Sequence, residues 1–257
     1  MIARPRDLLT ELLAAFLLLT RLPAAYVGRP RVPSDIGRCV WAFPIVGLAV
    51  NALGAIVYWL AYRLGMPPLL AAAWTLAATM LATGALHEDG LADTADGFGG
   101  GATPSRKLEI MRDSHIGSYG ALALLLSVVV RTAAIAALDQ PHRVMLGFCA
   151  AGMLGRSGII VLLLVVAPAR NNGLGAAMGR AGVWRSTAGL VMAAVVCLVA
   201  LRAEPAVAVI VAALGASLAV ASLAQRQIGG HTGDVLGAGE VIAECVVLSV
   251  AASAVGV

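Results

Sequence analysis

Residues 87–101 read His-Glu-Asp-Gly-Leu-Ala-Asp-Thr-Ala-Asp-Gly-Phe-Gly-Gly-Gly, and six of the chain's 14 acidic residues fall between Glu88 and Asp113. No Lys or Arg occurs from 64 to 105, so this is not the mixed-charge face that a solvated helix usually carries. On a helix, Asp89, Asp93 and Asp96 take positions i, i+4 and i+7, within a wedge of about 60°. Three carboxylates on one stripe repel each other unless a cation lies between them. Oxygen donors without thiolates suit Mg²⁺, Mn²⁺ or Ca²⁺. The stripe rises about 10 Å, long for one ion and better matched to two ions, or to one ion and a base. An EF-hand loop would put its acids at alternate positions. A zinc helix of the HExxH type would need a second His at 91, which is Leu. The plain alternative is a solvated helix end. Gly97, Gly99, Gly100 and Gly101 are expected to end the helix and leave backbone N–H groups able to approach a phosphate; a hinge is their plain alternative.

Downstream, Arg106, Lys107 and Arg112 are read as anion contacts opposite the carboxylates, with an i, i+3 and i+4 salt-bridge set through Glu109 and Asp113 as the bland reading. A second polar cluster, Gly-Gly-His-Thr-Gly-Asp-Val-Leu-Gly-Ala-Gly-Glu-Val-Ile-Ala-Glu, covers 229–244. Carboxylates drawn into a helical span are costly, so Glu240 and Glu244 call for partners. His231 has no soft co-ligands nearby and reads as a hydrogen-bonding group or base. Arg131 and Arg156 lie inside apolar runs, where an arginine faces a cavity or a partner; each can pair with a carboxylate or hold a diphosphate by its planar fork. Arg170 with Gly173 and Gly175 is a weaker phosphate-approach signal, a plain turn being the alternative.

These residues are carried by a chain that is 60% hydrophobic and 12% charged over 257 residues, with mean hydropathy +0.90. Soluble domains carry roughly 25% charge. The excess is Ala, Val, Leu and Gly, as in packed transmembrane helices with small residues at their contacts. The expected fold class is all-α: a single-domain, polytopic integral membrane helix bundle. About seven transmembrane helices are expected, near 39–62, 67–86, 119–138, 144–168, 187–201, 205–224 and 241–257, each about 20 residues. The run from Leu8 to Leu19 is short for a span and is expected to lie in the interface or re-enter. Continuous apolar runs favour helices over a β-barrel, which would alternate with period two. The four longer loops, 20–38, 87–118, 169–186 and 225–240, hold eleven basic residues against three in the other turns. The positive-inside rule places them in the cytoplasm. The four cysteines are scattered in apolar stretches and read as small buried hydrophobes. No basic run resembles a nucleic-acid patch, so no nucleic-acid partner is expected.

The stretch Asp89-Gly-Leu-Ala-Asp-Thr-Ala-Asp-Gly97, residues 108–120, Gly230-His-Thr-Gly-Asp-Val-Leu-Gly-Ala238 with Glu240 and Glu244, and Thr20-Arg21-Leu22-Pro23 closely resemble the cobalamin synthase (adenosylcobinamide-GDP ribazoletransferase) family. The resemblance covers nearly the whole chain. It departs mildly at Arg112 and His115, where the family commonly has Lys and Arg. It implies the last assembly step of coenzyme B12. A hydroxyl of alpha-ribazole or its 5'-phosphate attacks adenosylcobinamide-GDP and GMP leaves, with Mg²⁺ as cofactor, in the bacterial inner (cytoplasmic) membrane. On this reading Glu88, Asp89, Asp93, Asp96, Asp234 and Glu240 are expected as metal ligands, and Asp96 or His231 as the catalytic base. Substrate contacts are expected from His87, Gly99, Gly100, Arg106, Lys107, Arg112, Arg156, Arg170, Gly230 and Thr232. The two acidic clusters are expected to meet, with Asp234 or Glu240 near Asp89 or Asp93. Glu244 is expected to pair with Arg131 or Arg156. Self-association into a homo-oligomer is left open. A cation or proton transporter is the rival from another class, but no internal repeat supports it. The motif also resembles that of CDP-alcohol phosphotransferases, yet no Ala-Arg pair follows Asp89-Gly90 as that family requires.

Overall fold

The computed structural model describes residues 5–22, 36–171, 173–178 and 182–254. Helix α1 (Pro5–Leu19) precedes a 3₁₀ helix (Ile36–Ala42) that runs into α2 (Phe43–Arg63). Then come α3 (Pro68–Thr83), α4 (Leu86–Gly100), α5 (Pro104–Ile110), α6 (Ser118–Leu138) and α7 (Pro141–Val165). The single turn α8 (Leu174–Ala177), α9 (Val183–Ala200), α10 (Ala203–Ile228) and α11 (Gly233–Ser253) complete the order. Among the described residues six segments are long and apolar enough to cross a membrane, and α3 with α4 form a bent pair that makes seven if taken as one span. The protein is a polytopic helical membrane protein.

Helix α7 is its centre. Residues 147–163 are buried on every side, as a helix apolar all round must be. Small residues let its neighbours close in: a Cβ on Gly47 of α2 would sit 2.0 Å from the Gly152 carbonyl oxygen, and one on Gly158 would meet Ser217 Oγ of α10 at 2.8 Å. Such close approach is how membrane helices gain packing energy without a hydrophobic force between them. At one end of the bundle the α2–α3 and α6–α7 turns lie together, Tyr58 Oη donating to the Asp139 carbonyl at 2.8 Å. Residues from the loops of the opposite end, 87–118, 169–186 and 225–240, line one cavity.

Three sequence expectations are redrawn. The span expected at 67–86 ends at Thr83, because Gly84 (φ 68°) and Ala85 (φ 55°) both take left-handed backbone. That conformation stops a helix, and for Ala it costs about 1–2 kcal/mol. The chain restarts as α4 at 91° to α3. Residues 87–118, expected as a loop, are therefore largely helical: α4, packed between α6 and α11, and the short α5. The last helix begins at Gly233 rather than near 241. Thr232 caps it by accepting from the Val235 N–H at 3.3 Å, so Asp234, Glu240 and Glu244 all ride on α11.

Helix α1 is not among the membrane-length segments. Its Ala14, Ala15 and Leu19 join the buried cluster that holds Val40 and Phe43. The run read as apolar also hides Glu11, which is 2% exposed. Glu11 takes Arg38 Nη2 at 3.0 Å, Arg185 Nη2 at 2.8 Å and Trp41 Nε1 at 2.9 Å, tying α1 to the 3₁₀ helix and α9.

Candidate active site

Helix α4 crosses α11 at two glycines. A Cβ on Gly90 would stand 2.7 Å from the Asp234 carbonyl oxygen, and one on Gly237 would stand 3.2 Å from the His87 Cα. The crossing brings the two acidic clusters together as the sequence suggested: Asp89 and Asp234 line one cavity of about 270 Å³. Arg112, Arg170, His231 and Thr232 complete its polar wall, and Leu19, Ile159, Met178 and Leu236 its apolar floor. Asp93, one turn along α4 from Asp89, is electrostatically coupled to Asp89, Asp234 and Arg170. Gly90→Val should push α4 off α11. Overpacking of this kind costs about 1–3 kcal/mol, and a lower thermal unfolding temperature in detergent is the expected result.

The cavity also has cationic and neutral nitrogen partners. Arg170 Nη2 lies 3.0 Å from Asp234 Oδ2, which also accepts from Thr232 Oγ1 at 3.1 Å. His231 is 1% exposed, and neither ring nitrogen has a hydrogen-bond partner among the described residues. Burial lowers its pKa below the usual imidazole value, so the ring is neutral near pH 7 and able to accept a proton. Its backbone is fixed by a two-way exchange with the segment after α7: the His231 N–H donates to the Ala167 carbonyl at 2.9 Å, and the Ala169 N–H to the His231 carbonyl at 2.8 Å. Gly230 serves this contact, since a Cβ there would stand 2.4 Å from the Ala167 oxygen.

Several expected site residues have other partners. Asp96, expected as ligand or base, has both carboxylate oxygens occupied: Oδ2 accepts from the Gly117 N–H at 2.7 Å and Oδ1 from the Gly120 N–H at 2.9 Å. It caps the start of α6, where the helix dipole favours an anion. Glu88 lies 2.8 Å from Arg131 Nη1 of α6, and Glu240 lies 2.9 Å from Arg156 Nη1 of α7. These carboxylates face buried guanidiniums because an unpaired charge at that depth is too costly. Arg156, expected at the substrate, is thereby paired inside the bundle and is not among the residues lining the cavity. Its neighbour His87 has Nδ1 3.5 Å from Glu240 and lines the cavity.

Of the downstream cations Arg112 lines the cavity, while Lys107 and Arg106 have partners elsewhere. Lys107 donates to Gln227 of α10 and pins α5 there. Arg106 pairs at the exposed surface with Glu109 at 2.8 Å, the i, i+3 alternative. Gly97, Gly99 and Gly100 lie within α4, so their N–H groups belong to the helix. A Cβ on Gly99 would stand 2.6 Å from the Tyr119 ring, and one on Gly97 2.4 Å from Met111 Cγ. In this structure Gly97 and Gly99 make room for neighbouring side chains. Glu244 meets its expectation, 3.1 Å from Arg131 Nη1.

Two participants escaped the sequence reading. Asn51 of α2 is buried and donates to Glu244 Oε1 at 2.6 Å and to the Phe148 carbonyl at 2.9 Å; the signal was a lone amide in an apolar span. Gly90 looked like part of a motif, with nothing local to mark it as a helix crossing.

Residues 11–252 match the family model described as Cobalamin-5-phosphate synthase. A Bradyrhizobium diazoefficiens protein named Adenosylcobinamide-GDP ribazoletransferase is 47% identical over 96% of this chain and 95% of its own. Proteins of the same name from Mesorhizobium japonicum and Azorhizobium caulinodans are each 40% identical, over 97% and 94% of this chain and 95% and 94% of their own. No solved structure matches. With the match running through both acidic clusters and nearly every helix, the chain belongs to the cobalamin-5-phosphate synthase family.

Proposed function

We propose that this membrane protein is an adenosylcobinamide-GDP ribazoletransferase. It moves the adenosylcobinamide phosphate moiety of adenosylcobinamide-GDP onto alpha-ribazole or its 5'-phosphate and releases GMP. The observation that carries this reading is the single cavity shared by Asp89 and Asp234, in a chain whose relatives bear that name. In the reaction a ribose hydroxyl oxygen bonds to the cobinamide-linked phosphorus. The bond from that phosphorus to the bridging oxygen breaks, and GMP leaves with its electron pair. His231, neutral and with no ring hydrogen-bond partner among the described residues, is our candidate to take the hydroxyl proton. Arg170 and Arg112, on the cavity wall, are our candidates to hold the diphosphate.

Mg²⁺ is the proposed cofactor, and the donor set fits it. Among the described residues no three His, Cys, Asp or Glu side chains form a ready-made cage. Mg²⁺ is commonly held by one or two carboxylates together with substrate phosphates and waters; Asp89 and Asp93 would supply that pair, with Asp234 close by. When bound, it would neutralise diphosphate charge in the transition state. Reconstituted protein given both substrates and Mg²⁺ should release GMP in step with the nucleotide-bearing corrinoid. Corrinoid product without GMP, or neither, would overturn the reading.

The orientation proposed is site toward the cytoplasm, in the bacterial inner membrane, on the basic-residue count. In a Cys-free background, single cysteines at the exposed positions Ser105 and Arg226 should react with membrane-impermeant thiol reagents in inverted vesicles only. One at Arg63 should react in spheroplasts. The reverse pattern would invert the topology.

A further inference from the structure

Beneath the cavity lies a buried polar network that no step of the proposed reaction uses. Arg131 of α6 bridges Glu88 and Glu244 through Nη1, at 2.8 and 3.1 Å. Glu244 in turn holds Asn51 of α2 at 2.6 Å. A second branch runs from Arg156 of α7 through Glu240 of α11 to His87 Nδ1, at 2.9 and 3.5 Å. Both branches end on neighbouring residues of α4, His87 and Glu88, directly before Asp89. Successive helix residues point about 100° apart. Fixing Glu88 toward α6 therefore fixes the direction of Asp89.

The first turn of α4 needs such a hold. It follows the two left-handed residues Gly84 and Ala85, so no continuous helix steadies it from behind. It carries Asp89, and the next turn Asp93, against Asp234, like charges that favour opening of the α4–α11 crossing. At the other end, Asp96 fastens α4 to the start of α6.

We infer that Glu88, held by Arg131, which Glu244 and Asn51 hold in turn, is a positioning residue that sets the rotation of α4 and keeps Asp89 at the cavity it shares with Asp234, with Asp93 one turn further along and within their electrostatic reach. The acidic motif thus divides its labour: Glu88 and Asp96 anchor the helix, and Asp89 and Asp93 face the reaction. The inference concerns the same site and rests on the proposed cation-dependent reading only in its second readout.

Two substitutions separate positioning from metal ligation. Glu88→Gln keeps a carbonyl oxygen for the Arg131 donor but loses the charge a ligand supplies. Glu88→Ala loses both, while Arg131 retains Glu244, so no buried guanidinium is stranded. The first readout is cross-linking of D89C to D234C by a short bifunctional reagent in a Cys-free background. The Glu88→Gln protein should cross-link at the parent rate, and Glu88→Ala severalfold more slowly. The second is Mn²⁺ binding, followed by electron paramagnetic resonance without substrate in proteins that keep Asp89 and Asp234. Glu88→Ala should weaken it about tenfold, the scale at which outer-shell partners of a metal site act, and Glu88→Gln should leave it close to wild type. Glutamine behaving like alanine in either readout, or alanine behaving like wild type in both, would overturn the inference. Wild-type protein that binds no Mn²⁺ would remove the metal reading instead, and the cross-linking would still decide whether Glu88 positions α4.

Discussion

Asp89→Asn is expected to lower the rate of GMP release by about 10³-fold, the scale of several kcal/mol of transition-state charge stabilisation. Asp89 is exposed on α4 and lines the cavity, so the exchange neither empties a core nor breaks a pair described in the fold. Asparagine has nearly the same shape and loses only the anionic oxygen. The protein should therefore insert and unfold like wild type while the reaction fails. Asp93→Asn should behave alike. Its carboxylate sits among three like charges, so the substitution relieves repulsion, and stability should hold or rise as activity falls. Rates measured with saturating substrates, beside thermal unfolding in detergent, check both halves. Near-full GMP release by either variant would remove the stripe from catalysis.

Arg131→Met carries the largest expected cost to stability. The side chain is 2% exposed and neutralises Glu88 and Glu244. Removing one partner of a buried ion pair costs about 3–5 kcal/mol, because the remaining charge is stranded. Here two carboxylates are stranded. The expected result is a large fall in unfolding temperature or loss of protein from the membrane. Adding Glu88→Gln and Glu244→Gln to Arg131→Met should restore much of the lost stability, since the stranded charges are gone. If the triple variant is no more stable than Arg131→Met alone, charge compensation is not what Arg131 supplies.

Those two residues show what a sequence can and cannot convey. The spacing of Asp89, Asp93 and Asp96 correctly predicted one helical stripe, since helix geometry is local. Which of the motif's acids face the cavity was not legible. It depends on Arg131, 43 positions from Glu88, and on Gly117 and Gly120, 21 and 24 positions from Asp96. That Arg131 and Arg156 need partners followed from the cost of burying charge; the identity of those partners required the fold. The membrane-length helices were legible as apolar runs. The break at Gly84 and Ala85 was not, because hydropathy is blind to φ and the run Leu81-Ala-Thr-Gly-Ala-Leu86 stays apolar across it. Glu11 was missed for a related reason, a single carboxylate averaged away inside a hydrophobic segment. The meeting of the acidic clusters was foreseen from their shared loop face. Its cause, the glycine crossing at Gly90 and Gly237, appears only when α4 and α11 are seen together.

The most direct measurement is the Mg²⁺ dependence of GMP release in proteoliposomes, for wild type and for Asp234→Ala, with adenosylcobinamide-GDP and alpha-ribazole saturating. If both acidic clusters build one cation-assisted site, wild type releases GMP only with the divalent cation present. Asp234→Ala then needs a higher Mg²⁺ concentration to reach half of its maximal rate. Metal-independent release by wild type, or an unchanged Mg²⁺ requirement in Asp234→Ala, would contradict a shared site.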